Sequence, residues 1–372
     1  MRVVKFCVCW PLALLALLRA CLVVSTQARC DRDNNSCFSD GQSEGIIMRV
    51  SRSASEGSVL RGQIRSRFAR VVHDRMMDDV RSRDADHTHW YTLETSSMSD
   101  ELKKKFLQST EDEETKEFLT NCYEKAEWIF MQLYHSLARS LLSWFMSSTS
   151  VNGFLQRGSM FVFSKAQVES LLGISEKWKA NKLLDLGAGD GMVTQQLAGH
   201  FSEVYTTEMS TTMTWRLQEK GYSLLGLDEW HSGSHKFDVI SCLNLLDRCD
   251  QPATLLRNMK AALVPDTGRL IVATVLPFKP YVEYGGTDHK PSEILPLNGH
   301  TMEEQIASFE RDVFKPFGFT VERFTKLPYL CEGDLERSFY ILADIVFVLK
   351  PDSTIEEPAV LPRETETITM QA

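Results

Sequence analysis

Positive charge is scarce in this chain of 372 residues, which carries 41 lysine and arginine residues against 50 aspartate and glutamate residues, a formal net charge of −9. A nucleic-acid-binding surface needs clustered positive charge, so we expect no nucleic-acid partner. The partner is expected to be a protein or a small molecule. The apolar and charged fractions are those of a globular protein, and the length allows one large α/β domain with appendages.

Metal-ligand spacing is also missing among the cysteines. Cys122, Cys242, Cys249 and Cys331 are scattered along the chain, so we predict no metal site and expect these four to be buried thiols. Cys30 and Cys37 are close enough in sequence to form a small loop disulfide in an oxidising compartment.

The N-terminus lacks an apolar run long enough for a comfortable membrane span of about 20 residues. Arg2 and Lys5 precede the apolar segment 6–18, and small residues follow at 25–28. This pattern is typical of a signal peptide, predicted over 1–28, although an uncleaved signal anchor stays open. We therefore expect the endoplasmic reticulum or secretory pathway, with cytoplasm or mitochondrion as the alternative. Asn34 then becomes a glycosylation acceptor.

The chain between the leader and its α/β part divides into two segments. Residues 29–100 show little apolar periodicity, and we expect them to be disordered or weakly structured; His87 and His89 read as an incidental exposed pair. Residues 101–165 are helical in pattern, and the apolar stripe that begins at Trp128 and ends at Phe145 indicates packing in an N-terminal helical extension.

Strands and helices alternate over 166–351, and the tail 352–372 is expected to be disordered. The predicted strands are 182–186, 203–208, 222–225, 237–242, 269–275, 319–324 and 339–349. The alternation predicts a doubly wound, mostly parallel seven-stranded sheet of the Rossmann-like type. The last two strands have no crossover helix between them, which indicates an antiparallel final pair.

A glycine-rich turn follows the first predicted strand. Its functional positions are Asp185, Gly187, Gly189 and Gly191. Dinucleotide-binding folds use G-x-G-x-x-G, and the third glycine of that pattern is missing because Met192 occupies its position. The spacing D-x-G-x-G-x-G instead resembles motif I of class I methyltransferases that use S-adenosylmethionine (AdoMet). Glu208, at the end of the second strand, is placed to accept both ribose hydroxyls.

Polar residues follow the fourth predicted strand, where ligands lie in open α/β sheets. Asn244 and Asp247 are three residues apart, so both face the cleft if this turn is helical. From spacing alone they serve equally well as loop polars and a helix-capping acid.

Several segments together resemble the DREV family of protein-histidine N-pros methyltransferases. They are 183–193, 237–252, 276–283, 290–294 and 327–334, and the similarity covers roughly 122 to 350. The resemblance implies a class I AdoMet-dependent methyltransferase fold and methylation of the pros ring nitrogen of histidine in His-x-His motifs, where x is small, on protein substrates. It also implies that AdoMet is held by Asp185 to Gly191, Glu208 and Asn244.

The same resemblance implies that the substrate imidazole is held by Asn244, Asp247, Tyr329 and Tyr340. A carboxylate at Asp247 would accept the N–H of the distal ring nitrogen and leave the lone pair of the proximal nitrogen free to attack. His87-Thr88-His89 itself has the substrate form, so self-methylation is conceivable. Two alternatives stay open: a small-molecule AdoMet methyltransferase, and a catalytically silent methyltransferase-fold binding protein.

Overall fold

The structure, a computed structural model, describes residues 66–145, 148–282, 289–352 and 354. The predicted signal peptide, Asn34, the Cys30–Cys37 pair and nearly all of the tail lie outside these residues. Within the described ranges no helix is both long enough and apolar enough to cross a membrane.

Eleven α-helices and one π-helix are formed by the described residues. The helices are α1 (Arg67–Arg83), α2 (Thr88–Tyr91), α3 (Asp100–Lys105), α4 (Glu113–Glu127), α5 (Ile129–Leu142), α6 (Ser148–Leu155), α7 (Lys165–Leu172), α8 (Met192–Ala198), α9 (Thr211–Glu219), α10 (Pro252–Ala262), α11 (Met302–Ser308) and the π-helix Phe309–Phe314. The helical stretch from Met302 to Phe314 therefore changes its hydrogen-bond pattern halfway.

The described strands form one mixed sheet. They are β1 (Met160–Phe161), β2 (Ala180–Leu186), β3 (Phe201–Thr207), β4 (Ser223–Leu224), β5 (Val239–Leu243), β6 (Arg269–Val275), β7 (Phe319–Glu332) and β8 (Phe339–Pro351). The order across the sheet is β1-β7-β8-β6-β5-β2-β3-β4. Within the run β6-β5-β2-β3-β4 each strand is parallel to the next one. Strand β8 is antiparallel to both β6 and β7. The predicted doubly wound sheet with its antiparallel final pair is confirmed.

Helices cover both faces of this sheet. Strand β5 shows how, because Ile240 belongs to an apolar cluster with Leu256 of α10, whereas its neighbour Val239 belongs to a second cluster with Leu171 of α7. Successive residues of a strand point to opposite faces, so a strand covered on both sides is apolar throughout. This burial explains why β5 and β6 are mostly apolar on both faces.

Two features differ from the sequence-based prediction. Strand β7 continues to Glu332, beyond the predicted 319–324, because its second half pairs with β8 from Val346 back to Phe339. The eighth strand, β1, comes from the N-terminal extension and pairs with the same end of β7. The extension is therefore part of the sheet as well as a cover for it.

The prediction of weak structure for 29–100 is wrong for the part from Ser66 onward, which is helical. Ser66 caps α1, whose one buried side chain is Arg75. Trp90 and Tyr91 of α2 are buried against the sheet, and Lys326 of β7 donates to the backbone carbonyls of α2 and its C-terminal end. Because α1 contributes a charged residue to its buried side, its sequence shows little apolar periodicity.

Arg157 joins the extension to the end of β7. Its Nε donates to the buried carboxylate of Glu332 at 2.9 Å, its Nη2 donates to the carbonyl of Gly333, and its Nη1 lies on Gln132 and His135. Lys125 is the other cation on Glu332, at 2.8 Å, and half of its side chain is exposed. Arg157 is therefore the main buried partner of that carboxylate.

Replacing Arg157 by Ala should lower the free energy of unfolding by about 3–5 kcal/mol, because a buried carboxylate loses its partner. Urea denaturation measures this difference. Arg311→Ala is the control, since the Arg311–Asp312 pair lies at the surface and should be worth less than about 1 kcal/mol. Equal effects of the two substitutions would contradict the role given to Arg157.

Candidate active site

The candidate site lies at the carboxyl ends of the parallel strands, where ligands bind in open α/β sheets. Strand β2 ends in a turn in which Gly187, Gly189 and Gly191 all have positive φ, at 68°, 57° and 75°. Side chains other than hydrogen are disfavoured in this backbone conformation. The alternate glycines of the sequence therefore reflect an actual left-handed turn.

Gly189 and Gly191 serve the turn differently. A Cβ added to Gly191 would come within 2.8 Å of Leu217 on α9, so this glycine lets the turn pack closely on the protein. A Cβ added to Gly189 would meet no atom within 4 Å. The open side of Gly189 is therefore the side on which a ligand fits.

Glu208, immediately after β3, is tied to the same turn. Its Oε2 accepts from the backbone N–H of Gly189 at 3.0 Å, and its Oε1 accepts from the N–H of Ser210 at 2.8 Å. The side chain is half-buried, so its oxygens keep free lone pairs on the open side. A carboxylate fixed in this way suits an acceptor of ribose hydroxyls.

Asp185 is fully buried under the turn and faces its own chain. Its Oδ2 accepts from the hydroxyl of Thr194 at 2.5 Å, and its Oδ1 accepts from the hydroxyl of Ser241 at 2.7 Å. Burial raises the pKa of Asp185 to about 6, and the two hydroxyl bonds lower it in part. Asp185 therefore links β2 to α8 and β5 and supports the glycine turn, rather than offering a free oxygen to a ligand.

Asn244 follows β5 and adopts a left-handed conformation with φ 52°. Its Nδ2 donates to Oδ2 of Asp344 at 2.9 Å, and its backbone N–H donates to the carbonyl of Ala273 on β6. The buried Oδ1 of Asn244 has no partner. The helical turn assumed for residues 244–247 is wrong: Arg248 donates to the carbonyl of Leu245 in a tight turn instead.

Asp247 lies in this tight turn and is buried. Arg248 Nε is 3.2 Å from Oδ2 of Asp247. The backbone carbonyl of Asp247 accepts from Tyr281 N–H at 2.7 Å. Oδ1 of Asp247 is buried without a partner. Burial raises the pKa of this carboxyl group, and the charge of Arg248 opposes the rise.

Asp344 is a third acceptor that sequence reasoning missed. It lies on β8 opposite Val275 of β6 and Leu327 of β7 and is fully buried. Burial raises its pKa to about 8, the Asn244 bond lowers it, and the charge of Asp247 adds to the rise. An acid inside the apolar run Ile341–Leu349 is the signal that could have revealed it.

Tyr329 and Tyr340 share a sheet face with Asp344, because residues two apart on β7 and β8 point the same way and Tyr340 pairs with Cys331. Burial raises the pKa of Tyr329 well above its usual value. The charges of the nearby Cys331, Asp344 and Asp247 raise this pKa further. Tyr340 is half-buried, and its hydroxyl donates to Asp334 at 3.1 Å. Both tyrosines thus lie on the side of the sheet that the predicted site requires.

Buried side-chain oxygens without a hydrogen-bond partner occur on all three residues: Oδ1 of Asn244, Oδ1 of Asp247 and Oδ1 of Asp344. Asn244 and Asp247 supply the acceptors among them, because Asp344, with a pKa of about 8, holds a proton at pH 7. A buried acceptor without a donor is costly, so such a group is expected to be completed by a ligand. The complementary ligand is an N–H donor or a cation. The glycine turn and this acceptor group both lie at the carboxyl ends of adjacent strands β2 and β5.

A family model described as DREV methyltransferase matches residues 90–351. The chain belongs to the DREV methyltransferase family. The order of the strands agrees with a Rossmann-like methyltransferase fold.

Part of the sequence of this DREV methyltransferase is similar to more distant proteins. Ubiquinone biosynthesis O-methyltransferases are 26% identical over 105 residues in Coxiella burnetii and 27% identical over 107 residues in Haemophilus ducreyi. These matches cover 26% and 25% of this chain, and 44% and 45% of the relatives. The chain thus spans less than half the length of the curated relatives it matches.

Solved methyltransferase structures are similar at low scores. The N-methyltransferase NodS from Bradyrhizobium japonicum WM9, in complex with S-adenosyl-l-homocysteine, is 16% identical with a TM-score of 0.30, covering 46% of this chain and 79% of that one. A methyltransferase from Clostridium acetobutylicum is 14% identical with a TM-score of 0.33, covering 50% and 89%. At such scores these structures add nothing about the acceptor of the DREV methyltransferase.

His87 does not match the exposed pair expected from the sequence. Its ring is buried, stacks on Trp90 with 3.7 Å between ring centroids, and contacts Oε1 of Glu111 through Nδ1 at 2.8 Å. His89 is exposed. The first histidine of this His-x-His triplet therefore packs α2 in place and is not presented as a substrate in this fold.

Asp344→Asn should stabilise the protein increasingly as pH rises from about 4 to 8, because the folded wild type holds a proton that the unfolded carboxyl group releases near its ordinary pKa. More protons bound in the folded state mean that wild-type stability falls with rising pH across this window. At pH 9 the variant should melt at least about 2 °C higher, and near pH 4 the difference should vanish. Thermal melts from pH 4 to 9 measure it.

Asp312→Asn provides a control of opposite sign for this titration. The side-chain bond from Arg311 lowers the pKa of Asp312 to about 2, so its ionised form stabilises the fold above the ordinary pKa and that gain is lost as pH falls towards 2. A melting difference for Asp344→Asn that stays constant over the whole pH range would contradict the burial of a protonated Asp344.

Proposed function

We propose that this DREV methyltransferase transfers a methyl group from AdoMet to the pros nitrogen of histidine in His-x-His motifs of protein substrates. The observation that carries the proposal is the buried, unpartnered Oδ1 of Asp247, which lies with the free oxygens of Asn244 and Asp344 beyond the glycine turn. A neutral imidazole supplies both what this place lacks, an N–H donor, and what the reaction needs, a free lone pair.

Asp247 determines which ring nitrogen attacks. When its Oδ1 accepts the N–H of the distal nitrogen, the ring is held in the tautomer whose proximal nitrogen has the lone pair. AdoMet supplies an already activated methyl carbon, so the acceptor needs orientation rather than a strong base. Fixing the two reactants in line contributes several kcal/mol in well-oriented systems.

Of the two acids Asp247 and Asp344, only Asp247 balances the positive charge that the ring gains on methylation. Asp344, with a pKa of about 8, is mostly neutral at pH 7, whereas Asp247 has Arg248 beside it to hold its charge. As the new N–C bond forms and the old C–S bond breaks, the ring gains one positive charge, which the Asp247 carboxylate offsets. The ring then loses its distal proton to that carboxylate or to water.

Asn244 and the two tyrosines complete the acceptor pocket. The bond from Asn244 Nδ2 to Asp344 turns Oδ1 of Asn244 towards the free side, where it suits an N–H group of either substrate. Tyr340 borders an open cleft of about 290 Å³ that also contains His135, Arg139 and Glu336. Tyr340 is the one proposed acceptor residue that lines this cleft, and an open cleft beside it suits a polypeptide acceptor better than a small molecule.

AdoMet is assigned to Gly187, Gly189, Gly191 and Glu208, with Asp185 as the support of the turn. The open space beside Gly189 and the fixed carboxylate of Glu208 fit an adenosine moiety. The place of action proposed from the N-terminal leader is the endoplasmic reticulum or secretory pathway. Loss of a glycosidase-sensitive mass shift in Asn34→Gln would test that placement.

Glu208→Ala should weaken AdoMet binding at least about tenfold. The turn loses the carboxylate that accepts from Gly189 N–H, and the ribose hydroxyls lose their acceptor. Isothermal titration with AdoMet measures the affinity. Glu203→Ala, on the exposed part of β3, is the matched control and should bind as wild type does. Unchanged affinity in Glu208→Ala would show that adenosine binds elsewhere.

Asp247→Asn should lower kcat on a His-x-His peptide at least about a hundredfold and leave AdoMet affinity near the wild-type value, since the acid acts on the acceptor alone. Single-turnover methylation with isotopically labelled AdoMet gives the rate, and Asp100→Asn, with its side chain 91% exposed, is the control. An equal loss of AdoMet affinity would remove Asp247 from its assigned role.

The acceptor class is tested by comparing matched peptides that contain His-x-His, lysine or arginine, together with a quinol-type small molecule. Mass spectrometry should find one methyl group on the pros nitrogen of the His-x-His peptide and none on the others. Transfer to the small molecule alone would favour the first alternative. No transfer to any acceptor, with AdoMet bound normally, would favour a silent binding protein.

A further inference from the structure

Helix α5 buries a polar side and exposes its apolar side, which is the reverse of an ordinary surface helix. Its one buried side chain is the polar Gln132, which is 3% exposed and bonded to Lys125 O and Arg157. His135, one turn further along, also faces Arg157, at 3.1 Å. A helix on a water-exposed surface normally buries its apolar stripe and exposes its polar one.

The apolar side chains of α5 and the turn after it point outward. Phe130 is 89% exposed, Trp144 is 84% exposed and Phe145 is 85% exposed. We call the α5 surface the set of large apolar residues that are exposed between 128 and 145: Trp128, Phe130, Met131, Leu133, Leu137, Leu141, Trp144 and Phe145. The sequence-based expectation that this stripe packs on the protein is therefore wrong.

This surface exceeds what isolated exposed apolar residues explain. Phe130, Leu133, Leu137 and Leu141 recur every three or four residues, so they lie along one face of the helix. Contiguous exposed apolar area of this kind marks an interaction site. The remaining question is what covers it.

Charge distinguishes the α5 surface from the rest of the chain. The chain has a net charge of −9, yet no aspartate or glutamate occurs from Trp128 to Val168. Between Trp128 and Gln156 the only charged side chain is the exposed Arg139. Helix α5 and the turn after it therefore carry no acid of their own, and the nearby carboxylates Glu332, Asp334 and Glu336 lie in the cleft that Arg139 borders. An apolar stretch that holds a cation and no acid is complementary to an anionic, apolar-backed surface.

Aromatic placement agrees with the charge. Trp128 and Trp144 lie at the two ends of the stretch. Phe130 follows the first tryptophan by two residues, and Phe145 follows the second directly. Tryptophan prefers the interface between lipid headgroups and acyl chains, and helices that lie in that interface combine such aromatics with a cationic edge.

We propose that the α5 surface docks on an anionic lipid bilayer, with α5 parallel to the membrane and its aromatic side chains inserted at headgroup depth. Arg139 reaches the headgroups from the edge of the helix, as long cationic side chains do. Because His135 and Arg139 also border the cleft at Tyr340, docking would set that cleft beside the membrane. The proposal is independent of which amino acid is methylated.

The test is sedimentation of the full-length protein with vesicles of phosphatidylcholine and of phosphatidylcholine mixed with phosphatidylserine. The wild type should co-sediment with the mixed vesicles at least as strongly as with phosphatidylcholine alone. Phe130→Ser combined with Trp144→Ser should reduce the partition coefficient by about tenfold or more, since two inserted aromatic rings are lost. A wild type that stays in the supernatant with both vesicle types would overturn the proposal.

Two matched variants separate docking from general effects. Phe130→Leu with Trp144→Phe keeps the surface apolar and should retain binding. Ile294→Ser removes a side chain that is 70% exposed elsewhere on the molecule and should bind as the wild type does. Because the substituted rings are so exposed, all variants should melt close to the wild type, so a loss of binding cannot be attributed to unfolding.

Light scattering during gel filtration distinguishes the competing occupant. If the wild type is a dimer, the serine double variant is a monomer and neither binds vesicles, then a second copy covers the α5 surface and the lipid proposal is wrong. Quenching of tryptophan emission by brominated phosphatidylcholine gives the positive readout. The quenched component should decrease in Trp144→Phe, where Trp128 remains, and disappear when Trp128→Phe is added. Persistence of the full quenching in Trp144→Phe would place Trp144 outside the bilayer.

Discussion

The fold of this DREV methyltransferase depends on burying carboxyl groups at the carboxyl ends of its central strands. Asp185 and Asp344 are both fully enclosed, and burial raises the pKa of each, to about 6 and about 8. A buried acid is tolerated only when hydrogen bonds satisfy it or a proton neutralises it. The surrounding loops are arranged to meet that requirement, and the candidate site forms from what they leave unsatisfied.

The two acids meet the requirement in opposite ways. Both oxygens of Asp185 are bonded to hydroxyl groups of Thr194 and Ser241, so this residue fixes the glycine turn and leaves nothing over for a ligand. Asp344 accepts one side-chain bond, from Asn244, and a proton neutralises it at pH 7 because its pKa is about 8. The first acid therefore supports the glycine turn, and the second positions Asn244.

The N-terminal extension carries a separate physical conflict. Arg157 needs polar partners beneath α5, and Gln132 and His135 supply them. The helix must then present its apolar side outward, where water is an unfavourable neighbour. The packing of the extension thus exposes an apolar face next to the cleft at Tyr340.

Local pattern was sufficient for the sheet and for the glycine turn. Strands β5 and β6 are mostly apolar because both of their faces are covered, and the turn needs glycine at three positions because its backbone is left-handed. Glu208, Asn244 and Asp247 were selected from their positions at strand ends, and the roles given to Asn244 and Asp247 come from the family resemblance and stay predictions. These features depend on residues close together in the sequence, where periodicity and spacing act directly.

Contacts between distant segments decided the rest. Asp344 joins the site only because β8 inserts between β6 and β7, which brings it to Asn244 across 100 residues of sequence. The orientation of α5 follows from Arg157 and Glu332, whose partnership no local pattern contains. Helical spacing shows that a face exists, but the direction in which that face points is set by the distant groups that must be satisfied beneath it.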